Sequence, residues 1–305
     1  MKEIKRVGLI GLGALGVLYA QLLTEALGRE QVLVLADKDR IARYRREGVF
    51  FNDTLCDFNY TDAAEETESL DLLIFAVKFG GLEDSIAACR HLISADTTLV
   101  SILNGISGEA ILSETFSPEQ VVWCVAQRMS ARKTGNRVIV APLGELAIGV
   151  PAGQDDAHFR RLKAFWESIG FPHSVPEDIR THMWSKLLCN TGCNQTSMVY
   201  QCGYGGLQAE GEARETMLGA MREVVTVANA EGVPLSEADV HSWLSIIDSF
   251  PADGETSMRQ DSKAHRKSEV ELFAGTIRRL AAKHGISVPI NDRLYKAVQE
   301  MEAAY

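Results

Sequence analysis

Three polar side chains recur at four-residue intervals in an otherwise apolar stretch: Lys186, Asn190 and Asn194. At about 3.6 residues per turn, positions i, i+4 and i+8 fall on one side of a helix. An ammonium aligned with two amides is costly to bury without partners, so the stripe either faces solvent or lines a polar cavity. A lone lysine is mostly solvated. Two asparagines, which disfavour helix interiors, standing in line with it argue for the cavity. There the ammonium can polarise a carbonyl and donate a proton, and amides can orient a polar ligand. A second polar cluster, Thr256 to Asp261, follows the turn Pro251 to Gly254 and leads on to Arg266 and Glu269. Ser257 stands near a predicted helix start, where its hydroxyl is either a cap or a carboxylate ligand. Glu269, in a charged stretch, reads by itself as a surface residue.

A third group binds rather than reacts. Residues 7–16, VGLIGLGALG, form an apolar strand running into Gly11-x-Gly13-x-x-Gly16, and the following VLYAQLLTEAL has helical spacing. Gly11 suits a tight turn, Gly13 a close approach of backbone to a pyrophosphate, and Gly16 close packing of helix on strand. Leu12 and Ala14, between these glycines, belong to the same predicted cofactor-binding turn, whose helix N-terminus faces the anion.

The elements that must position these residues fall into two halves. Strand-like segments at 31–37, 69–78, 97–103 and 121–129 alternate with helical ones at 37–48 and 81–93, and residues 48–66 read as short strands between turns. This alternation predicts an α/β Rossmann domain with a doubly wound, mostly parallel sheet over 1–175, with ligands outside the carboxyl ends of the strands. Segments 137–142 and 144–151 read as a hairpin. Beyond about residue 175 the periodicity is almost wholly helical, with 211–233 the longest run and 268–286 another, which predicts an all-helical C-terminal domain over 176–305. The 305 residues suffice for two domains, and 46% hydrophobic with 24% charged residues is the composition of a soluble globular chain. A net charge of −10 gives no general attraction to nucleic acid or an anionic membrane, although a local basic pocket remains compatible with it. No apolar stretch reaches membrane-span length and the N-terminus lacks signal-peptide features, so the expected location is cytoplasmic. Six cysteines without a Cys-x-x-Cys pair are read as free thiols; Cys189 and Cys193 share a helix face, but no metal is implied.

Taken together, the motifs resemble the ketopantoate reductase (2-dehydropantoate 2-reductase) family. They are GLIGLGALG, Ala76-Val77-Lys78, Leu103-Asn104-Gly105, Trp184-Ser185-Lys186-Leu187 with Asn190 and Asn194, Ser257-Met258-x-Gln260-Asp261, and Ser268-Glu269 leading to Gly275 and Pro289. The resemblance implies an NAD(P)H-dependent oxidoreductase that reduces a small 2-keto acid, 2-dehydropantoate, to pantoate in pantothenate and coenzyme A biosynthesis. It implies Lys186 as general acid and Glu269 as its partner or that of a substrate hydroxyl. Asn190 and Asn194 would orient the substrate, Ser257 would bind its carboxylate, Asn104 would link the nicotinamide side to the substrate, and Lys78 would contact the cofactor. Where NADPH-using members place an arginine, this chain has Asp37, about twenty residues beyond Gly16, the usual distance of an acid that binds the ribose 2′-hydroxyl. The cofactor is therefore NADPH or NADH, with Asp37 favouring NADH, although Lys38 and Arg40 are within reach of a phosphate. Gln195, Thr196 and the stretch from Tyr200 to Gly206 depart from the family where it shapes the substrate end of the pocket. A β-hydroxyacid dehydrogenase shares the Lys-x-x-x-Asn spacing, but its glycine-rich carboxylate motif is missing around 115–130. A nucleotide-sensing regulator would dispense with Lys186 and Glu269, which are both present. An apolar helical domain is compatible with a homodimer.

Overall fold

Apolar runs of four to seven residues make the central strands, and because both faces of these are covered, both alternating sets of their side chains are largely apolar. The computed structural model describes residues 2–305. Twelve strands are formed among them: β1 (Val7–Ile10), β2 (Val32–Ala36), β3 (Phe50–Phe51), β4 (Thr54–Leu55), β5 (Asn59–Asp62), β6 (Leu72–Phe75), β7 (Thr98–Ser101), β8 (Val121–Gln127), β9 (Ala131–Thr134), β10 (Arg137–Val140), β11 (Glu145–Gly149) and β12 (His173–Ser174). The larger sheet has the order β12-β11-β8-β7-β6-β1-β2-β5 and the smaller one β4-β3-β10-β9. From β5 to β8 every pairing is parallel, and only β11 runs antiparallel to its neighbour β8.

Val7, Leu9, Val32, Val34, Leu72 and Ile74 pack on one face of the large sheet with Val17, Leu18 and Tyr19 of α1 (Ala14–Leu27). Their alternates Ile10, Leu33, Leu35, Leu73 and Phe75 pack on the other face with Leu82 and Ile86 of α3 (Leu82–Cys89). On the α1 side, α2 (Lys38–Glu47) follows β2, and α1 also touches β3, β9 and β10 of the small sheet. The remaining helices of this region are α4 (Ser107–Thr115) and α5 (Ala157–Ser168). Segments 137–140 and 145–149 do not pair with each other, which corrects the expected hairpin. β10 pairs with β9 and β3, whereas β11 pairs with β8 and β12.

The chain forms two compact units. The first runs to Asn104 and resumes over Gly108–Ile179; the second comprises Gly105–Ser107 and Arg180–Tyr305. Among the described residues the second has no strand. It contains most of α6 (Ile179–Cys189), then α7 (Gln195–Val199), α8 (Tyr204–Gln208), α9 (Glu212–Ala230), α10 (Glu237–Asp248), α11 (Ser257–Lys263), α12 (Thr276–His284) and α13 (Pro289–Glu302). Two π-helical turns interrupt this pattern, at Asn190–Asn194 and Glu271–Gly275. The expected single helix over 268–286 is thus a π turn continued by α12 and ended by Gly285 in the left-handed region, with φ 66°.

Candidate active site

In the first unit, the positions predicted to bind a cofactor sit along one edge of the large sheet. Ile10, Leu35, Phe75 and Ser101 are in register across β2, β1, β6 and β7, and the glycine turn, Asp37, Lys78 and Asn104 follow those strands. At about 4.8 Å per strand, the row from Asp37 to Asn104 spans roughly 14 Å. The chain leaves β1 toward β2 on one side and returns to β6 on the other, so the glycine turn lies at the topological switch point.

The three glycines answer to different constraints. Gly11 has φ 102°, and a Cβ there would lie 2.7 Å from the Ala76 backbone. A Cβ on Gly16 would lie 1.9 Å from the Gly11 carbonyl oxygen. Both are therefore required by the fold. Gly13 is not, since its Cβ would meet only the Ala76 oxygen at 3.7 Å. What Gly13 leaves clear is the start of α1, where it is the N-cap without a side-chain cap and the first turn carries no acid. The N–H groups opened there, from Gly13 through the first turn of α1, fit a pyrophosphate.

Asp37 caps α2: its Oδ1 accepts from the Arg40 N–H at 2.7 Å and its Oδ2 lies 3.4 Å from Arg40 Nε. Lys38, with its Nζ 2.5 Å from Glu65 and 3.9 Å from Asp62, has its pKa raised, first by the Glu65 hydrogen bond. Both basic residues at this corner are thus matched by acids. Lys78 is exposed and turns the chain from β6 toward α3, while Asn104 is half-buried beyond β7.

In the second unit, Lys186, Asn190 and Asn194 are all half-buried, so the stripe faces neither open solvent nor the core. An α-helix advances a four-residue series by about 40°. The wider π turn over Asn190–Asn194 turns the second step back, and it keeps the three in line. Apolar neighbours Met183, Trp184, Leu187 and Leu188 are buried and anchor α6, and Trp243 Nε1 on α10 donates to Ser185 Oγ at 2.9 Å.

The structure then joins the two polar clusters. Asn194 Nδ2 is 3.4 Å from Asn190 Oδ1 and 3.3 Å from Ser257 Oγ, donating to both. The helix-cap reading of Ser257 does not hold, because Thr256 is the cap of α11, its Oγ1 accepting from the Arg259 N–H at 3.2 Å. Buried Met258 pins that helix and leaves Ser257 exposed. Glu269 is half-buried rather than a surface residue, and its carbonyl accepts from Leu272 N at 2.9 Å at the head of the second π turn.

Gln195, which follows the stripe, is fully buried and not at an open pocket edge, as is Thr196. Its Nε2 donates to Thr191 O at 2.6 Å and to Asn291 Oδ1 at 3.3 Å, while its Oε1 accepts from Ala274 N at 3.2 Å. One amide therefore ties the first π turn to the second. Asn291 extends the network, donating to Ala220 O at 3.2 Å and to Glu223 Oε2 at 2.8 Å. Sequence reasoning missed this clamp; its only local signal is an amide following a helix already rich in amides.

Among the described residues no group of three or more His, Cys, Asp or Glu is arranged to hold a metal ion. Cys189 is half-buried, and burial pushes its thiol up to about 12, which disfavours the reactive thiolate. No helix of the described residues is long and apolar enough to cross a membrane. The polar groups therefore comprise an ammonium, two amides, a hydroxyl and an accepting carboxylate in one unit, and an uncapped helix start at a sheet edge in the other. That set can bind a carboxylate and a carbonyl and supply a proton, but holds no group that can deliver a hydride.

Comparison with known proteins gives two family matches: ketopantoate reductase PanE/ApbA over residues 7–153, and ketopantoate reductase PanE/ApbA C terminal over 178–302. A 2-dehydropantoate 2-reductase of Shigella flexneri is 25% identical over 302 residues, covering 98% of this chain and 96% of the relative. The crystal structure of a PanE/ApbA family ketopantoate reductase from Ralstonia eutropha is 25% identical, with a TM-score of 0.85 over 98% of this chain and 99% of that one. A D-mandelate dehydrogenase in complex with NADH shares the fold, with a TM-score of 0.86 and 21% identity over 98% of this chain and 99% of that one.

Proposed function

The chain belongs to the ketopantoate reductase family, and from that premise we propose that it reduces 2-dehydropantoate to pantoate. The reaction adds a hydride to the ketone carbon and a proton to its oxygen. A reduced nicotinamide cofactor bound at the glycine turn supplies the hydride. Lys186 donates the proton, its ammonium polarising the ketone before transfer. Asn190 and Asn194 orient the substrate, Ser257 binds its carboxylate, and Glu269 holds Lys186 or a substrate hydroxyl.

The observation that carries this reading is the hydrogen-bonded series Asn190, Asn194 and Ser257, in line with Lys186. A capped surface helix would have no use for a hydroxyl from 63 residues away joined to an asparagine stripe. Lys78 and Asn104 serve the cofactor from the ends of β6 and β7. NADH is the preferred cofactor, because Asp37 stands where a ribose 2′-phosphate would meet like charge and Lys38 and Arg40 are already matched by acids. A β-hydroxyacid dehydrogenase remains the less favoured reading, since the family matches span both halves of the chain. The same fold serves a mandelate dehydrogenase, so substrate choice is tested directly. Nicotinamide absorbance is followed with the purified protein, each cofactor and a panel of 2-keto acids. 2-Dehydropantoate should give the highest kcat/KM; a tenfold preference for another keto acid would reassign the substrate, and no turnover of any would remove the enzymatic reading.

A further inference from the structure

β9 has a weak strand sequence, Ala131-Arg132-Lys133-Thr134, with Arg132 and Thr134 exposed and Lys133 turned inward. That direction carries the Lys133 ammonium to the glycine turn of β1–α1, where it donates to the main-chain carbonyl of Leu12. The Lys133 pKa is lowered, first by burial and then by the like charge of Arg43 on α2. Among the described residues neither Lys133 nor Arg43 ion-pairs with a carboxylate, and the Arg43 guanidinium rests over the Tyr44 ring at 5.3 Å from its centroid. Of the other basic residues of α2, Lys38, Arg40 and Arg46 are matched by Glu65, Asp37 and Glu47, and Arg45 donates to the Tyr60 carbonyl on the exposed side.

A half-buried ammonium that faces a cation and one neutral carbonyl is electrostatically unsatisfied, and an anion would offset that cost. The Leu12 carbonyl is one residue from Gly13, the N-cap of α1, whose first N–H groups have no side-chain cap. Anion-seeking groups thus converge on the turn from two separate elements. We propose that Lys133, with Arg43 beside it, forms the cationic wall of a phosphate subsite at the glycine turn, reached from the small sheet. Its ligand is a dinucleotide phosphate, either the pyrophosphate common to both cofactors or the ribose 2′-phosphate of NADPH. This rests on the cofactor reading above and assigns the small sheet a part in it.

The test measures Kd by nicotinamide fluorescence for NADH and NADPH, at low and high salt, with the parent protein, Lys133→Met, Lys133→Arg and Arg43→Ala. Lys133→Met keeps the apolar stem and should weaken binding about tenfold, the scale of one charge-assisted hydrogen bond. It should also flatten the salt dependence, Lys133→Arg should retain most of the affinity, and Arg43→Ala should cost a smaller factor. Weakening of both cofactors identifies the pyrophosphate as ligand, and weakening of NADPH alone identifies the 2′-phosphate; either supports the subsite. Parent and Lys133→Met binding within twofold for both cofactors would overturn it, leaving Lys133 as a prop for the Leu12 carbonyl whose loss lowers only the melting temperature. A parent protein that binds neither cofactor would instead sink the cofactor reading itself.

Discussion

Gln195→Met is the substitution whose consequence can be worked out most fully. Methionine is close in size to glutamine and fits irregular cores, so the change removes polarity with little change in volume. Three contacts disappear: the donations to Thr191 O and Asn291 Oδ1 and the acceptance from Ala274 N–H. Net hydrogen bonds contribute about 1 kcal/mol each, and a buried group left without a partner costs about 1–3 kcal/mol. With some repair by the backbone of the π turns, the loss is roughly 2–5 kcal/mol, a large part of an ordinary stability of about 5–15 kcal/mol. At about 2–4 °C per kcal/mol for domains of this size, the melting temperature should fall by roughly 4–20 °C. Calorimetry of parent, Gln195→Met and Gln195→Glu checks this. Gln195→Glu keeps the acceptor for Ala274 but sets a carboxylate against the Thr191 carbonyl, so it should be at least as damaging. A shift below 2 °C for Gln195→Met would show that the amide does not tie the two π turns together.

Three further outcomes follow from the same geometry. Ser257→Ala and Asn194→Ala should each raise KM for the keto acid several-fold, and because the two side chains meet at 3.3 Å their double variant should cost less than the sum; strict additivity would contradict a shared subsite. Asp37→Arg should shift the ratio of kcat/KM toward NADPH by about tenfold or more, while loss of the α2 cap costs about 1 kcal/mol of stability; a parent that already favours NADPH tenfold would refute the role given to Asp37. The Glu231 carboxyl is held below its usual pKa, first by the hydrogen bond from Lys283 at 2.8 Å and also by His284. A depressed carboxyl adds stability above its unfolded value of 4.5 and loses it as pH falls through its folded pKa, so Glu231→Gln should lower the melting temperature near neutrality and match the parent in acid; an equal difference at all pH values would contradict the pairing.

The sequence announces what local physics determines and hides what distant contacts determine. Gly11 and Gly16 are legible because a turn with positive φ, and a helix packed so close that a Cβ would lie 1.9 Å from a carbonyl oxygen, admit no other residue. The parallel strands are legible because they are buried on both faces. β9 is not, because its inward residues are Ala131 and Lys133 and that alanine is its whole apolar content; without β9 the next strand could only be read as a hairpin with β11. The π turn at Asn190–Asn194 escapes periodicity because one widened turn leaves the polar stripe looking like an ordinary helix face. Ser257 could be read as a cap because Thr256 and Ser257 are both good caps; only the fold shows Thr256 taking that place and Ser257 reaching Asn194. Gln195 stands beside the stripe in sequence, yet its partners Ala274 and Asn291 lie far along the chain, where no local pattern points to them.

Lys186→Ala tests the central claim most directly, with kcat for 2-dehydropantoate reduction and Kd for NADH measured on the same folded preparation. General acid catalysis contributes about 10²–10⁴-fold, so kcat should fall by that factor while the cofactor, held at the glycine turn, binds as before. A kcat within threefold of the parent would contradict the assignment of Lys186 as proton donor and, with it, the mechanism built on the Lys186, Asn190 and Asn194 stripe.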